Sequence, residues 1–120
     1  MRCLVVDDSS AMRAILHRLL AREGFEIVEA RDGLEALSVI HGLDGLELVL
    51  IDWNMPVMNG LELLRRIRSE PRYDSARIVM VTTESDVTHI AEALNAGASE
   101  YIMKPFTPEI IADKLRLLGL

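Results

Sequence analysis

The sequence predicts a single α/β domain in which five βα units build a doubly wound, five-stranded parallel sheet. Short aliphatic runs alternate along the whole chain with stretches whose apolar residues have helical spacing. The connections between them are short, and such alternation is typical of a parallel sheet with helices on both faces. The 120 residues, of which 50% are hydrophobic, are enough for one core and too few for two. We therefore expect one domain over residues 1–120.

The predicted strands are short runs of β-branched and aliphatic residues. They cover residues 3–6, 26–29, 48–51, 78–81 and 101–103. The third and fourth runs are apolar without interruption, which is the pattern of strands that are buried on both faces. We therefore place these two strands in the centre of the sheet.

The helices are predicted from apolar spacing and from capping residues at their starts. Asp32 and Asn59 are each followed three residues later by a glutamate, which is the spacing of a capping box. Thr107 precedes Pro108, a pair that suits the N-cap and the first position of a helix. The fourth helix is predicted over residues 86–95. These signals fall between the predicted strands, as a βα repeat requires.

Acidic residues outnumber basic ones, with 19 Asp and Glu against 13 Lys and Arg and a net charge of −6. A nucleic-acid backbone is bound by a basic face, so we expect no nucleic-acid partner. No apolar run approaches the ~20 residues that cross a bilayer, and the first residues lack the apolar region of a signal peptide. The only cysteine, Cys3, cannot form an internal disulfide. These features predict a cytoplasmic protein with no membrane partner.

Charged and hydroxyl side chains are concentrated where the predicted strands end. Asp7 and Asp8 come after the first strand and Asp52 after the third. Thr82 comes after the fourth strand and Lys104 after the fifth. In open α/β sheets, ligands bind outside the carboxyl ends of the strands. We therefore expect three carboxylates, a hydroxyl and a lysine to converge on one edge of the sheet.

Such a group of residues suits metal-assisted phosphoryl chemistry. Neighbouring carboxylates repel one another unless a proton or a cation compensates, and Mg²⁺ prefers oxygen ligands. An aspartate can also attack a phosphoryl group to form an acyl phosphate, whose oxygens the metal, Lys104 and Thr82 would hold. Taken alone, the Asp7-Asp8 pair is more often a solvated turn or a helix cap. The interpretation depends on all of these residues following predicted strands in order.

The motifs at these positions resemble the receiver domains of two-component response regulators, and within that family the single-domain chemotaxis regulators. The likeness covers essentially the whole chain and rests on these motifs: Val5-Val6-Asp7-Asp8, Asp52-Trp53-Asn54-Met55-Pro56 with Asn59-Gly60, Val81-Thr82, Gly97-Ala98 and Lys104-Pro105-Phe106-Thr107. The resemblance implies a flavodoxin-like fold with strand order 2-1-3-4-5.

The resemblance also implies a metal site and a phosphoacceptor. Asp52 matches the phosphoacceptor, Asp8 matches the direct ligand of Mg²⁺, and Asp7 matches a residue that holds the metal through water. Asn54 would supply its backbone carbonyl to the metal. The implied phosphodonor is a sensor histidine kinase. The protein would then be a signalling switch that assists its own phosphorylation and dephosphorylation, not an enzyme in the usual sense.

The implied output runs from the phosphoryl group to a protein-binding face. Thr82 and Lys104 match the residues that contact the phosphoryl group, and Tyr101 matches the aromatic switch residue. The face would comprise the fourth helix, the fifth strand and the fifth helix, with contacts from these residues: Ile90, Ala93, Tyr101 and Lys114. We expect a monomer, a cis bond before Pro105 and a downstream protein target, for which a flagellar motor switch is one candidate.

Some positions depart from the pattern of the enteric chemotaxis proteins. Ser9 replaces an aromatic residue, Thr83 replaces an alanine, and the predicted fourth helix contains no lysine. Asn54 and Glu84 are the polar residues expected beside the path of water to the phosphoryl group. These departures concern the partner and the phosphoryl lifetime, and they leave the phosphoryl chemistry unchanged.

Other functions remain open on the sequence. A phosphate sink or a phosphorelay intermediate would use the same site. A phosphotransferase enzyme would need a substrate pocket or a cap insertion, which the short loops do not supply. A flavodoxin-like electron carrier would need a phosphate loop where Asp7-Asp8 would repel a phosphate. The three histidines lack metal-ligand spacing, and we interpret them as ordinary helix residues: His17, His41 and His89.

Overall fold

Five parallel strands form one sheet in the order β2-β1-β3-β4-β5 in the computed structural model, which describes residues 1–83 and 87–120. The strands are β1 (Arg2–Val6), β2 (Glu26–Ala30), β3 (Leu48–Asp52), β4 (Arg77–Thr82) and β5 (Glu100–Met103). Each contains every residue predicted for it, and the predicted strand order is confirmed. The connection from β2 to β3 crosses over β1, which places the topological switch point between β1 and β3.

The helices follow the strands in strict alternation. They are α1 (Ser10–Arg22), α2 (Gly33–His41), α3 (Gly60–Arg68), α4 (Val87–Asn95) and α5 (Pro108–Leu117). Residue 86, the predicted start of the fourth helix, lies outside the described residues. None of the helices in the described ranges has the length and hydrophobicity to cross a bilayer.

A short 3₁₀ helix, Pro71–Tyr73, was not predicted by the sequence patterns. Tyr73 accounts for its position, because the ring is buried and the phenolic hydroxyl donates to the carbonyl of Ile40 at 3.2 Å. The guanidinium of Arg72 covers the ring at 4.9 Å from its centroid. A single tyrosine held by tertiary contacts therefore places this turn between α3 and β4.

The predicted helix caps are confirmed. The side chains of Asp32, Asn59 and Thr107 each accept a hydrogen bond from the backbone N–H three residues later, at 2.8, 2.9 and 3.2 Å. Ser9 caps α1 in the same way, at 3.2 Å from the N–H of Met12. The caps satisfy N–H groups that lack partners at a helix start, and they begin four of the five helices at defined residues.

The sheet separates two apolar layers because successive residues of a strand point to opposite faces. In β3, Val49 and Ile51 pack toward α2, α3 and α4, whereas Leu48 and Leu50 pack toward α1 and α5. Every residue of β3 is buried, as predicted for a central strand. Cys3 is fully buried in the second layer, and burial raises the pKa of its thiol.

Strand register brings the residues after the strands to one edge. Val6 lies opposite Ile51, Asp52 opposite Val81, and Thr82 opposite Met103. The loop after β3 then returns to the same place, because Gly60 N–H donates to the carbonyl of Trp53 at 3.0 Å. A Cβ atom at Gly60 would lie 2.5 Å from the backbone oxygen of Asp52. Residue 60 must therefore be glycine for α3 to begin beside the end of β3.

We expect Gly60→Ala to lower the free energy of unfolding by ~1–3 kcal/mol, the usual range for forcing extra atoms into a packed site. The added methyl group meets backbone on β3, which cannot move without disturbing the sheet. Gly45→Ala is the matched control, since nothing lies within 4 Å of a Cβ at Gly45. Urea unfolding of both variants measures the difference, and equal stabilities would contradict this account of Gly60.

Candidate functional site

The three carboxylates predicted to converge do so. Asp7, Asp8 and Asp52 each offer a carboxylate oxygen, and these oxygens lie within 4.8 Å of one another. Asp7 and Asp52 are buried, whereas Asp8 is exposed. Asp52 is the last residue of β3, and the other two follow β1, the neighbouring strand. The cluster therefore lies at the carboxyl ends of two central strands with one side open to solvent.

Lys104 places its ammonium group between the two buried carboxylates. Its Nζ lies 3.3 Å from Asp7 Oδ2 and 3.3 Å from Asp52 Oδ1. Its backbone N–H donates to the carbonyl of Thr82 at 2.7 Å, which extends the pairing of β4 with β5 by one residue. The bond from Lys104 to Pro105 is cis, as predicted. Sheet pairing therefore fixes the backbone from which the lysine reaches the cluster.

One lysine faces three carboxylates, so the site carries excess negative charge. Burial raises the pKa of the Asp52 carboxyl, the charges of Asp7 and Asp8 also raise it, and Lys104 acts in the opposite direction. Because this pKa is higher in the folded chain, its contribution to stability is present at low pH and is lost as the pH rises through the folded value. The ionised form of Asp52 therefore destabilises the fold unless a cation compensates.

Two residues that the sequence analysis did not assign to the site hold Asp7 in place. The N–H of Ser9 donates to Asp7 Oδ1 at 2.9 Å, and Arg13 Nη1 donates to the carbonyl of Asp7 at 2.6 Å. Arg13 Nε also pairs with Glu29 of β2 at 3.2 Å. Ser9 carried a signal, because serine is a common N-cap. Arg13 carried none, since helical spacing does not show which side chain of β2 an α1 residue will face.

The other predicted site residues lie around this cluster. Thr82 is buried at the end of β4, and Asn54 is exposed two residues after Asp52. The role of Asn54 as a carbonyl ligand stays a prediction, as do the roles of the other site residues. Tyr101 lies half-buried on β5, the edge strand. Glu84, expected beside the path of water, lies outside the described residues.

One expectation for the protein-binding face is wrong. Ala93 is only 2% exposed because it packs between α4 and the sheet, so it cannot contact a partner in this conformation. The other expected contacts, Ile90, Tyr101 and Lys114, each retain some exposure. Helical spacing placed Ala93 on α4 but could not show how α4 is rotated against the sheet.

The three histidines lie in helices, as predicted, and each has a neighbour that accounts for it. His17 Nδ1 lies 2.8 Å from Glu29, and His41 Nε2 lies 3.0 Å from Glu70. The ring of His89 stacks on Trp53, with centroids 5.1 Å apart. Within the described ranges, the aspartate cluster is the one group of acidic, cysteine or histidine residues that meets the geometry of a metal site, and it includes no histidine.

The arrangement can perform two kinds of chemistry. The carboxylates offer hard oxygen ligands to a divalent cation, which would relieve their repulsion. Asp52 also offers a nucleophilic oxygen beside the Lys104 ammonium, which can stabilise charge that develops on a phosphoryl oxygen. The exposure of Asp8 and Asn54 leaves the mouth of the site open to a reactant from solvent.

Comparison with known proteins agrees with this geometry. The family model described as the response regulator receiver domain matches residues 3–116. A chemotaxis protein CheY homolog from Campylobacter jejuni is 45% identical over 116 residues, which cover 96% of this chain and 89% of that protein. Chemotaxis protein CheY1 from Helicobacter pylori is 43% identical over 98% of this chain and 96% of that protein.

Solved structures show the same fold. The chemotaxis protein CheY4 of Vibrio cholerae superposes with a TM-score of 0.91 at 33% identity, over 98% of this chain and 97% of that one. A CheY-like receiver domain protein from Methanospirillum hungatei has a TM-score of 0.87, also at 33% identity, over 98% of this chain and 93% of that one. The chain belongs to the response regulator receiver domain family of two-component signalling.

Proposed function

We propose that this chain is a phosphorylation-controlled switch that accepts a phosphoryl group on Asp52 from a sensor histidine kinase, with Mg²⁺, and controls a partner protein in chemotaxis. The observation that carries the proposal is the Lys104 ammonium group between the carboxylates of Asp7 and Asp52, with Asp8 at the open side. The chemotaxis names of the Campylobacter and Helicobacter relatives support the pathway.

The carboxylate cluster fits a divalent cation. Asp7, Asp8 and Asp52 supply oxygen ligands within a small volume, and Mg²⁺ binds such ligands while keeping several waters. Asn54 would add its backbone carbonyl. A bound Mg²⁺ would supply the positive charge that the excess of carboxylates needs and would stabilise charge on phosphoryl oxygens.

The transfer step uses residues whose positions are defined. A carboxylate oxygen of Asp52 attacks the phosphorus, a P–O bond forms, and the P–N bond of the donor phosphohistidine breaks. The imidazole leaves with the electron pair of that bond and takes up a proton. Lys104 Nζ lies 3.3 Å from Asp52 Oδ1, so it can move onto an oxygen of the incoming group. Burial of Asp52 keeps the acceptor oxygen at a fixed position.

The output begins at Thr82. An oxygen of phosphorylated Asp52 would accept a hydrogen bond from the Thr82 hydroxyl and draw the end of β4 toward the site. The space next to Thr82 would then admit the ring of Tyr101, whose strand pairs with β4. The face of α4, β5 and α5 changes as the ring turns inward. Because α4 has no lysine, we expect a partner peptide that is less acidic than that of an enteric motor switch.

Magnesium should stabilise the fold. At free Mg²⁺ 100 times above Kd, linkage predicts a gain of about 2.7 kcal/mol in the free energy of unfolding, visible as a higher melting temperature. Trp53 is the only tryptophan and lies next to Asp52, so its emission should change in the same titration. Asp8→Asn should lose most of both effects. Asp44→Asn, which changes an exposed acid outside the carboxylate cluster, is the matched control. An Asp8→Asn protein that responds like wild type would contradict the site.

Asp52 should be phosphorylated by acetyl phosphate in the presence of Mg²⁺. Intact-mass spectra should show one added phosphoryl group that alkali removes, as expected of an acyl phosphate. Asp52→Asn should lack this adduct, whereas Asp113→Asn on α5 should form it. The expectation fails if Asp52→Asn carries the same alkali-labile group.

Thr82→Ala should separate phosphorylation from output. The variant should accept the phosphoryl group on Asp52 but lose the inward turn of Tyr101 that follows. One charge-assisted hydrogen bond is worth ~1.5–3 kcal/mol, which corresponds to roughly a 10- to 100-fold change in the population of the turned-in state. The population of the turned-in state is measured by the solvent exposure of the Tyr101 ring while acetyl phosphate is in excess. Thr83→Ala, at the exposed neighbouring position, should keep the response. A full response in Thr82→Ala would show that the signal leaves by another route.

A further inference from the structure

The ring of Tyr101 is held by two charged neighbours. Lys114 Nζ on α5 lies 4.7 Å from the centroid of the ring and 3.3 Å from Glu100 Oε1. Both charged side chains are mostly covered, at 24% exposed for Lys114 and 22% for Glu100. We use the term Tyr101 clamp for these three residues: Glu100, Tyr101 and Lys114.

The backbone of β5 fixes the carboxylate of the Tyr101 clamp. The oxygen of Glu100 that faces Lys114 also accepts the N–H of Tyr101 at 2.9 Å. Because β5 is an edge strand, this side-chain contact supplies an acceptor for a backbone N–H at the open edge of the sheet. One carboxylate oxygen therefore anchors the ammonium group to the strand that carries Tyr101. The ammonium position over the ring follows from that anchor.

The Tyr101 ring also borders an apolar cleft. This narrow cleft is lined by Tyr101 itself together with these residues: Trp53, Met80, Thr82, His89, Ile90 and Ala93. In the orientation seen here, the ring is half-buried against the apolar layer that contains Met80 and Ala93, and Lys114 lies over its face. In the turned-in state of the proposed switch, the ring would leave the ammonium group and be buried more deeply along this cleft. Lys114 would then contact the ring in the outward state only.

We propose that Lys114 is a positioning residue for Tyr101: anchored by Glu100, it holds the ring outward and so suppresses the turned-in state before phosphorylation. The inference deepens the proposed function and rests on it, because Tyr101 is there the switch residue. A contact that exists in only one state shifts the equilibrium by its full free energy. A cation over an aromatic ring near the surface changes that equilibrium roughly two- to fivefold. The free energy gained on phosphorylation must then exceed the free energy of the contacts in the Tyr101 clamp.

The experiment uses the full chain labelled with 3-fluorotyrosine. The sequence has two tyrosines, so the ¹⁹F spectrum has two resonances, and the buried Tyr73 is an internal reference. The difference in shift between H₂O and D₂O reports the solvent exposure of the Tyr101 ring. Acetyl phosphate with Mg²⁺, added to the wild type, gives the position of the turned-in resonance.

Before phosphorylation, Lys114→Ala should increase the ratio of turned-in to outward Tyr101 roughly two- to fivefold. The Tyr101 resonance should therefore move toward its position in the phosphorylated wild type, and its solvent isotope shift should decrease. The sign is decisive, because removing Lys114 from a ring that stays in place would uncover the ring and increase that shift. Lys114→Arg keeps a cation and should restore wild-type values. Arg116→Ala removes the same charge from the same helix, where Arg116 pairs with Asp113, and should change nothing.

An unchanged or larger isotope shift in Lys114→Ala overturns the Tyr101 clamp, whatever phosphorylation does. A wild-type Tyr101 resonance that does not move when intact mass shows phosphorylation contradicts the proposed switch instead. In that case the sign of the Lys114→Ala shift still decides whether Lys114 holds the ring outward. Glu100→Gln keeps an acceptor for the Tyr101 N–H but removes the ion pair, and it should give a shift of the same sign as Lys114→Ala.

Discussion

The repulsion among three carboxylates at the end of a buried sheet is the constraint on which the rest of this structure depends. Asp7 and Asp52 are almost completely buried, and burial raises the pKa of the Asp52 carboxyl. The lysine between them compensates for only part of the charge. The site is therefore under electrostatic stress that a bound cation would relieve. In the proposed switch, a phosphoryl group on Asp52 would change this balance of charges and thereby favour a different conformation.

The surrounding framework holds the carboxylates together against this repulsion. Asp52 ends the fully buried β3, and the flanking strands β1 and β4 are buried except at their first residues. The close approach of Gly60 fixes the loop that follows Asp52. Arg13 ties the carbonyl of Asp7 to Glu29 of the next strand, so two elements support one turn. The apolar core thus contributes the free energy that keeps like charges close. The stability of the rest of the domain therefore offsets the destabilising repulsion within the site.

The same strands connect the site to the surface. The backbone of Lys104 pairs with Thr82, and the residues of β5 just before it form the edge of the sheet. Tyr101, three residues before Lys104, is contacted on the outside by Lys114. The only two lysines of the chain thus lie at the two ends of this connection, one in the acidic site and one on the ring. In the proposed switch, the charge balance at each end would bias the orientation of the Tyr101 ring.

The alternation of apolar runs and capped helices determined the five βα units, because strand and helix periods and N-cap chemistry are local properties. The identity of the residues after each strand likewise determined the convergence of Asp52 and Lys104. Tertiary structure alone decided the contacts that join elements distant in sequence, such as Arg13 with Glu29 and Lys114 with Tyr101. It also decided that Ala93 is buried, because the rotation of α4 depends on packing against the sheet. Local sequence patterns determine the helices, the strands and their ends. Which side chains of different elements contact one another is decided only when the layers pack.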